Sequence, residues 1–304
     1  MRDLIIIGAG PAGLSAAIYG KRAGFDTVVI EESGISGGQV LTTYEVDNYP
    51  ALPGISGFDL GMKLREHADK AGAEFIDEKV ISIEDSGEYK TIITEENKYQ
   101  TKAVIIATGA SHNHLRVPGE NELTGMGVSY CATCDGAFFK NKIAIVVGGG
   151  DVAVEDAIFL ARSCSKVYII HRRDAFRAAR QLQDTLFKQQ NIEVIWNTTV
   201  EKIMGDGQVE AVEIKNVITG EKRDLETDGI FIAVGIHPNS EMFQDIVKMD
   251  EKGYIVANED GKTSRAGIFV AGDVRTKRLR QIITAASDGA NAVESVSDYF
   301  NKNA

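Results

Sequence analysis

The sequence predicts an α/β protein of two domains, with the second domain inserted into the first. Three observations support this fold class: a strand, glycine turn, helix and strand in the first thirty residues, the return of that pattern in the middle of the chain, and a similar apolar strand that closes each unit. Strands that alternate with helices in this way form parallel sheets with helices on both faces. Both units are therefore predicted to be Rossmann-like, three-layer domains of the kind that binds dinucleotides.

The first unit begins with an apolar strand at residues 4–7, and a helix-forming segment follows at 14–22. Between them, Gly8, Gly10 and Gly13 have GxGxxG spacing. The first glycine permits a tight bend, the second lets the backbone approach a pyrophosphate, and the third allows close packing of helix on strand. Free N–H groups and the helix dipole favour negative charge at the helix N-terminus. The turn is thus predicted to bind a dinucleotide, and a purely structural turn is the alternative.

The same pattern returns at residues 143–170. Its turn contains Gly148 and Gly150, and Ala153 stands at the third position, where alanine is an accepted variant. The first glycines of the two turns are 140 residues apart, since 148 − 8 = 140. This spacing indicates an internal duplication.

Similar apolar segments at 103–109 and 229–235, each ending in glycine, close the two units. A further strand at 267–270 has no glycine turn of its own, so the simplest arrangement makes it the end of the first domain. The crossings between domains are expected near residues 111–115 and 238–243, which are polar and irregular. The predicted ranges are 1–112 and 241–304 for the first domain and 113–240 for the second.

The strands after the two turns end in residues of opposite charge. Glu31 ends the first, where a carboxylate can accept hydrogen bonds from ribose hydroxyls. The second ends in His171, Arg172 and Arg173, with Arg177 one turn further. A carboxylate repels a 2′-phosphate, whereas guanidinium groups form charge-assisted bonds to it. The first site should therefore take an adenosine with a free ribose and the second should prefer NADP over NAD, unless the basic cluster is only a solvated helix start.

Two dinucleotide sites in one chain indicate a resident flavin and a visiting hydride donor, because a dehydrogenase that acts directly on its substrate needs only one. Gly272 and Asp273 fit this interpretation. A glycine–aspartate pair at a strand end can reach the phosphate or ribityl part of FAD.

Cys131 and Cys134 form a CxxC motif, and Cys164 is the third cysteine of the chain. An odd, low count does not make an extracellular disulfide framework, so a reducing compartment, the cytoplasm, is expected. The CxxC spacing is that of dithiol redox motifs, and Asp135 beside it could act as a general acid. The alternatives are half of a metal site, which lacks a second CxxC or CxxH, and two buried cysteines. We therefore expect no metal.

Composition excludes two classes of partner. The chain has 304 residues, with 44 acidic and 33 basic ones and a net charge of −11, so a general electrostatic attraction to nucleic acid or anionic lipid is not expected. No apolar segment approaches the roughly 20 residues that a membrane-spanning helix needs. The first apolar run breaks at Gly8 and is expected to be a strand and not a signal peptide.

The chain resembles the low-molecular-weight, bacterial-type thioredoxin reductases over essentially its whole length. The resemblance rests on seven stretches in order: residues 8–13, 37–39 with Asn48, 107–109, 131–136, 148–153, 171–177, and 271–274 with 279–282. It implies a homodimeric enzyme in which the first domain binds FAD and the inserted domain binds NADPH and carries the CxxC. It also implies that electrons pass from NADPH to FAD, then to the Cys131–Cys134 disulfide, and then to thioredoxin.

The resemblance also implies residue roles. Cys134 should face the flavin, Cys131 should attack the thioredoxin disulfide, and Asp135 should donate and accept the proton. The FAD set comprises Gly8, Gly10, Pro11, Ala12, Gly13, Glu31, Gly38, Gln39, Asn48, Ala107, Thr108, Gly109, Gly272, Asp273, Arg280, Gln281 and Ile282. The NADPH set comprises Gly148, Gly150, Asp151, Ala153, His171, Arg172, Arg173 and Arg177. Because the dithiol and the nicotinamide must both reach the flavin, the inserted domain is expected to rotate about the two crossings.

One position departs from the family. Relatives often have an aromatic residue where this chain has Ala137, at the contact with thioredoxin. Phe138 and Phe139 are present, so docking is expected to survive with an altered partner preference. Two alternatives stay open: a related reductase that serves another carrier, such as a peroxiredoxin or a glutaredoxin-like protein, and a flavin-binding redox sensor that does not turn over.

Overall fold

The computed structural model describes residues 1–43, 46 and 48–303, and the chain divides into two units. The first comprises Met1–Leu41, Tyr49–Ser111 and His237–Ala304. The second comprises Thr42–Asn48 and His112–Ile236.

In chain order, the helices are α1 (Pro11–Arg22), α2 (Gly57–Lys70), α3 (Ala132–Asp135), α4 (Asp151–Leu160), α5 (Arg180–Leu186) and α6 (Ile282–Asn303). The strands are β1 (Arg2–Ile7), β2 (Thr27–Glu31), β3 (Glu74–Asp77), β4 (Val80–Asp85), β5 (Lys90–Thr94), β6 (Lys98–Ile106), β7 (Ala110–His112), β8 (Val128–Ser129), β9 (Ile143–Gly148), β10 (Lys166–Ile170), β11 (Ile192–Ile195), β12 (Thr198–Met204), β13 (Ala211–Asn216), β14 (Lys222–Glu226), β15 (Gly229–Ala233), β16 (Ile236–Pro238) and β17 (Ile268–Val270). Among the described residues, no helix has the length and apolar character that crossing a membrane requires.

The first unit is built on one sheet in the order β3-β2-β1-β6-β5-β4, and β17 also pairs with β6. Strands β3, β2, β1, β6 and β17 run parallel, whereas β5 and β4 are antiparallel to their neighbours. Leu4 and Ile6 of β1 point to the core that contains residues of α1 and α6, and Ile5 and Ile7 point to the core on the other face with Phe243. Burial on both faces explains why β1 is an unbroken apolar run.

Helices α1 and α6 pack closely at a glycine. A Cβ on Gly289 would lie 2.2 Å from the carbonyl oxygen of Ala12, so no larger residue fits there without moving one of the helices. Pro11 occupies the first position of α1, where its missing N–H costs nothing. This packing fixes the start of α1, where the first glycine turn lies.

The second unit contains a parallel sheet in the order β11-β10-β9-β15-β8. Val146 and Ile169 point to the face covered by α4, and Ile145 and Ile170 point to the opposite face. A separate antiparallel sheet, β12-β13-β14, contributes Val212 to the core on that opposite face. The mixed sheet of the first unit, with five parallel strands, and the parallel sheet of the second unit both have apolar cores on their two faces, which confirms the predicted α/β class.

The chain passes between the two units four times: after Leu41, after Asn48, within β7 and within β16. Strands β7 and β16 pair with each other. The last crossing falls after Ile236, four residues before the predicted limit at 240 (240 − 236 = 4). The reason is that Asn239 bonds within the first unit: its N–H donates to the carbonyl of Gly109 at 3.0 Å and its Nδ2 to the carbonyl of Thr108 at 2.9 Å.

Candidate active site

The first glycine turn leaves room for a ligand at the N-terminus of α1. A Cβ on Gly8 would lie 2.5 Å from the carbonyl oxygen of Ala107, and a Cβ on Gly13 would lie 1.9 Å from the carbonyl oxygen of Gly8. A Cβ on Gly10 would meet no described atom within 4 Å. The outer two glycines are thus required by packing, and the middle one opens to space where a pyrophosphate would lie.

Glu31 binds the turn itself. Its Oε2 accepts a hydrogen bond from the N–H of Ala9 at 2.6 Å, and its Oε1 accepts from the N–H and hydroxyl of Ser33 at 3.1 and 2.9 Å. The carboxylate therefore orients the turn in addition to the ribose contact expected from the sequence.

The segment after β2 returns to the first turn. The N–H of Gly37 donates to the carbonyl of Ala9 at 2.8 Å, and a Cβ on Gly38 would lie 3.2 Å from the Cα of Gly10. Gln39 is exposed beside them. Asn48 is exposed as well and belongs to the second unit.

At the carboxyl end of β6, Thr108 is held by Asn239. The Thr108 hydroxyl donates to the carbonyl of Asn239 at 2.6 Å, and Asn239 Nδ2 donates to the carbonyl of Thr108 at 2.9 Å. Ala107, buried, and Gly109, which has a φ of +68°, complete this bend.

The turn after β17 and the segment that follows it contain two buried polar atoms with no hydrogen-bond partner among the described residues. These atoms are Asp273 Oδ1 and Arg280 Nε. Burial raises the pKa of Asp273. A Cβ on Gly272 would lie 2.8 Å from the Cβ of Ala12, so this turn packs against the start of α1. Gln281 and Ile282 are half-buried where α6 begins. Unsatisfied buried polar groups are rare in proteins, so an open glycine turn with two such atoms fits a dinucleotide that carries phosphates and hydroxyls.

The second glycine turn has the same construction. A Cβ on Gly148 would lie 2.4 Å from the carbonyl oxygen of Ala233, whereas a Cβ on Gly150 would meet nothing within 4 Å in the described structure. Ala153, fully buried, fills the place of the third glycine. Asp151 Oδ1 accepts from the N–H of Ala179 at 2.7 Å, so it holds the segment that follows the arginines.

The basic cluster separates into exposed and buried members. Arg172, Arg173 and Arg177 are exposed, whereas His171 is buried. A Cβ on Gly149 would lie 2.2 Å from the His171 ring, which also donates from Nε2 to the carbonyl of Ala175 at 3.1 Å. Burial, followed by the neighbouring arginines, lowers the pKa of His171. A neutral imidazole that packs under the turn supports it, and the three arginines are the groups that face solvent.

The cysteines form a disulfide at the start of α3, with their Cα atoms 5.3 Å apart. Asp135 is half-buried next to them, and its Oδ2 accepts from the hydroxyl of Ser129 at 2.6 Å. The N–H of Cys131 donates to the same hydroxyl at 3.1 Å. Asp135 Oδ1 is buried with no hydrogen-bond partner among the residues described. Burial raises the pKa of Asp135, and the Ser129 bond offsets only part of this effect. An acid that keeps its proton to higher pH therefore lies beside the disulfide.

A buried carboxylate anchors the segment before the disulfide. Glu120 is 2% exposed and accepts from the hydroxyl of Tyr130 at 2.7 Å and from the N–H groups of Leu115, Arg116 and Val117 at 3.0, 2.6 and 3.4 Å. Burial opposes ionisation, but these bonds prevail and lower the pKa of Glu120. Tyr130, the residue that precedes Cys131, is thereby held in place.

The structure corrects the expectation for Phe139. This ring is 7% exposed and packs edge-on against Phe231 at 5.1 Å, and it fills the space over Gly229. It is a core residue and cannot contact a partner protein. Ala137 is exposed and Phe138 is half-buried.

Sequence reasoning missed Ser129, Glu120 and Asp288, the last of which accepts a hydrogen bond from the N–H of Gly272 at 3.0 Å. Ser129 and Glu120 carry no local signal, because their importance comes from the groups that they meet in space. Asp288 did carry one: it is a charged residue among the small and apolar residues of α6.

Three comparisons place the chain among known proteins. The family model described as pyridine nucleotide-disulphide oxidoreductase matches residues 2–289. The thioredoxin reductase of Listeria innocua serovar 6a is 48% identical over 301 residues, which cover 99% of this chain and 94% of that protein. That of Bacillus subtilis (strain 168) is also 48% identical, over 99% of this chain and 95% of the relative. The crystal structure of thioredoxin reductase from Streptococcus pyogenes MGAS5005 is 46% identical, has a TM-score of 0.95 and covers 99% of both chains.

Proposed function

Because the chain belongs to the pyridine nucleotide-disulphide oxidoreductase family and, within it, to the thioredoxin reductases, we propose that it is an NADPH-dependent flavoprotein that reduces the disulfide of thioredoxin through Cys131 and Cys134. The observation that carries the proposal is a CxxC disulfide with a half-buried acid beside it, in the same unit as a glycine turn flanked by three exposed arginines. FAD, when bound, supplies a two-electron carrier between the nicotinamide and the disulfide.

The first unit would hold FAD. Gly10 leaves room for a pyrophosphate at the start of α1, Glu31 could accept from the ribose, and Asp273 Oδ1 and Arg280 Nε, which are buried without a hydrogen-bond partner among the described residues, could bind further polar groups of the cofactor. The remaining members of the set in the first unit are Gly8, Pro11, Ala12, Gly13, Gly38, Gln39, Ala107, Thr108, Gly109, Gly272, Gln281 and Ile282, whereas Asn48 belongs to the second unit.

NADPH is held by the second unit. Gly148, Gly150 and Ala153 form the pyrophosphate turn, and Asp151 orders the loop beyond it. In the basic cluster, Arg172, Arg173 and Arg177 bind the 2′-phosphate. His171 supports the glycine turn.

The reduced cysteine pair performs two exchange steps. The Cys131 thiolate attacks one sulfur of the thioredoxin disulfide, the bond between the two thioredoxin sulfurs breaks, and Asp135 protonates the leaving thiolate. The Cys134 thiolate then attacks Cys131 Sγ. The mixed disulfide breaks, the second thioredoxin thiolate takes a proton from water so that thioredoxin leaves as a dithiol, and Cys131–Cys134 is oxidised again.

The family also supports a homodimer, which we propose for this chain. The cytoplasmic location stays a prediction from the cysteine count, and the rotation of the inserted domain stays a prediction from the chemistry. The second candidate carriers, peroxiredoxin and glutaredoxin-like proteins, are compared with thioredoxin in the experiment below.

The purified full-length chain should be yellow and should bleach when titrated with NADPH under anaerobic conditions. Thioredoxin should then restore the colour and sustain NADPH consumption, while peroxiredoxin and glutaredoxin should not. A colourless chain that takes up no added FAD contradicts the flavoprotein assignment. Bleaching without NADPH turnover on any carrier would instead indicate a redox sensor.

Asp135→Asn should lower the rate of thioredoxin reduction by about 100-fold, the usual size of a general-acid contribution. Since burial raises the pKa of Asp135, its proton is present at low pH and is lost as the pH rises through that pKa. Wild-type kcat should therefore fall on the alkaline side, and the variant should lose this limb. Measuring kcat against pH for both proteins tests the assignment.

The matched control is Asp184→Asn, which removes an exposed acid of the same unit. It should leave rate and pH profile unchanged. An alkaline limb that persists in Asp135→Asn assigns the ionisation to another group.

A further inference from the structure

Asp288 is a buried carboxylate of α6 that meets the candidate FAD turn. Its side chain is 7% exposed. Its Oδ2 accepts from the backbone N–H of Gly272 at 3.0 Å, which is a direct contact with the turn.

Two buried cations meet the same carboxylate. Arg275 donates from Nε to Oδ2 at 2.9 Å and from Nη2 to Oδ1 at 2.6 Å, and Lys277 donates from Nζ to Oδ2 at 2.9 Å. Both cationic side chains are 6% exposed. Without Asp288, both buried cations would lose their close counter-ion within the described part of the chain, because the other carboxylate near them, that of Asp273, has its Oδ1 3.8 Å from Lys277 Nζ, beyond hydrogen-bond distance.

The hydrogen-bond network around Asp288 extends to Arg280, whose Nε is buried without a hydrogen-bond partner among the described residues. Arg280 donates from Nη1 to the carbonyl of Lys277 at 3.2 Å and from Nη2 to the carbonyl of Arg275 at 3.4 Å. Its guanidinium carbon lies 4.2 Å from the centre of the Tyr254 ring. The backbone that Asp288 fixes through Arg275 and Lys277 is thus the backbone that orients Arg280.

We propose that Asp288 is a positioning residue for FAD: it holds the turn at Gly272 and the segment 275–277 in the one arrangement that leaves Asp273 Oδ1 and Arg280 Nε directed at the ligand. It touches no part of the ligand itself. The inference rests on the proposed FAD site in the first unit.

The test compares FAD binding with folding stability in the full-length apo-protein. Asp288→Asn should raise the dissociation constant for FAD, measured by flavin fluorescence, by at least about 30-fold, which is about 2 kcal/mol at 1.4 kcal/mol per factor of ten. The visible circular dichroism of bound FAD should change as well, because the variant alters the surroundings of the bound flavin and not only the fraction of protein that carries it.

The matched control is Asp85→Asn in the same unit. Asp85 is 12% exposed and pairs at 2.8 Å with Lys90, a fully buried cation that belongs to neither candidate set. This variant should also lose thermal stability, yet its dissociation constant for FAD should stay within about 3-fold of the wild type. An equal loss of affinity in both variants reduces Asp288 to a general stabilising residue and overturns the proposal.

If Asp288→Asn does not fold, Asp288→Glu decides the matter. It keeps the charge for Arg275 and Lys277 but displaces the carboxylate from Gly272 by one methylene, and we expect about 10-fold weaker FAD binding with the visible circular dichroism altered. Wild-type affinity and spectrum in that variant overturn the proposal. A wild-type chain that binds no FAD overturns both this inference and the proposed function, whereas tight binding in Asp288→Asn overturns this inference alone.

Discussion

Cys134→Ser should lower thioredoxin reduction by at least about 1000-fold, as expected when a covalent catalytic group is removed. Bound FAD and its reduction by NADPH should be unaffected, because the residues assigned to both dinucleotides do not include the cysteine. Thioredoxin reduction is lost because the Cys134 thiolate is needed to attack Cys131 Sγ. Without it, thioredoxin stays in the mixed disulfide with Cys131, and the Cys131–Cys134 disulfide cannot form again. The measurement is anaerobic bleaching of the flavin by NADPH, followed by turnover with thioredoxin.

Cys164→Ser is the control for this experiment. Cys164 is a buried free cysteine of the same unit, so the substitution changes one sulfur to oxygen without touching the disulfide. It should cost some thermal stability and leave turnover near the wild-type value. Thioredoxin reduction that survives in Cys134→Ser would show that electrons reach the substrate by another route.

The double variant Arg172→Ala/Arg173→Ala should raise KM for NADPH by about 100-fold and change KM for NADH by less than about 3-fold. Charge-assisted hydrogen bonds are each worth about 1.5–3 kcal/mol, and exposure of both side chains keeps the effect near the lower limit. NADH lacks the 2′-phosphate and so has little to lose. The wild-type preference for NADPH over NADH should shrink accordingly.

The control for this pair is Lys222→Ala/Arg223→Ala. It removes the same charge from an exposed strand of the same unit, so any general electrostatic attraction of the coenzyme is reduced equally. KM for both coenzymes should stay near the wild-type values. If the two double variants behave alike, or if Arg172→Ala/Arg173→Ala weakens NADH as much as NADPH, the 2′-phosphate assignment is wrong.

Members of one sequence motif proved to have different environments. His171, Arg172 and Arg173 are consecutive in sequence, yet the histidine lies under Gly149 while the arginines face solvent. Strand β10 ends at Ile170, so the next residues leave the sheet and only the first of them is covered by Phe176 and Trp196. Composition alone does not reveal which member of such a motif is covered.

The same limit applies to aromatic residues and to isolated acids. Phe138 and Phe139 look equivalent in sequence, but the second fills the space over Gly229, a residue 90 positions away (229 − 139 = 90). Asp288 and Gly272 are 16 residues apart and bond only because α6 folds back on the turn after β17. The partner of a buried polar group is set by packing, and packing joins distant parts of the chain.

By itself, the sequence determined the α/β class, the two glycine turns, the cysteine pair and the contrast between Glu31 and the arginines, because each depends on residue type at short spacing. The tertiary structure alone decided that the Asp135 carboxyl is desolvated by burial and that Phe139 belongs to the core. It also decided that Asp288 pairs with two buried cations and accepts a hydrogen bond from the turn at Gly272. Local spacing dictates which backbone conformations and ligands are feasible. Burial and charge pairing depend on which distant residues meet in the fold. Burial and charge pairing in turn shift the pKa values of side chains and fix their orientation.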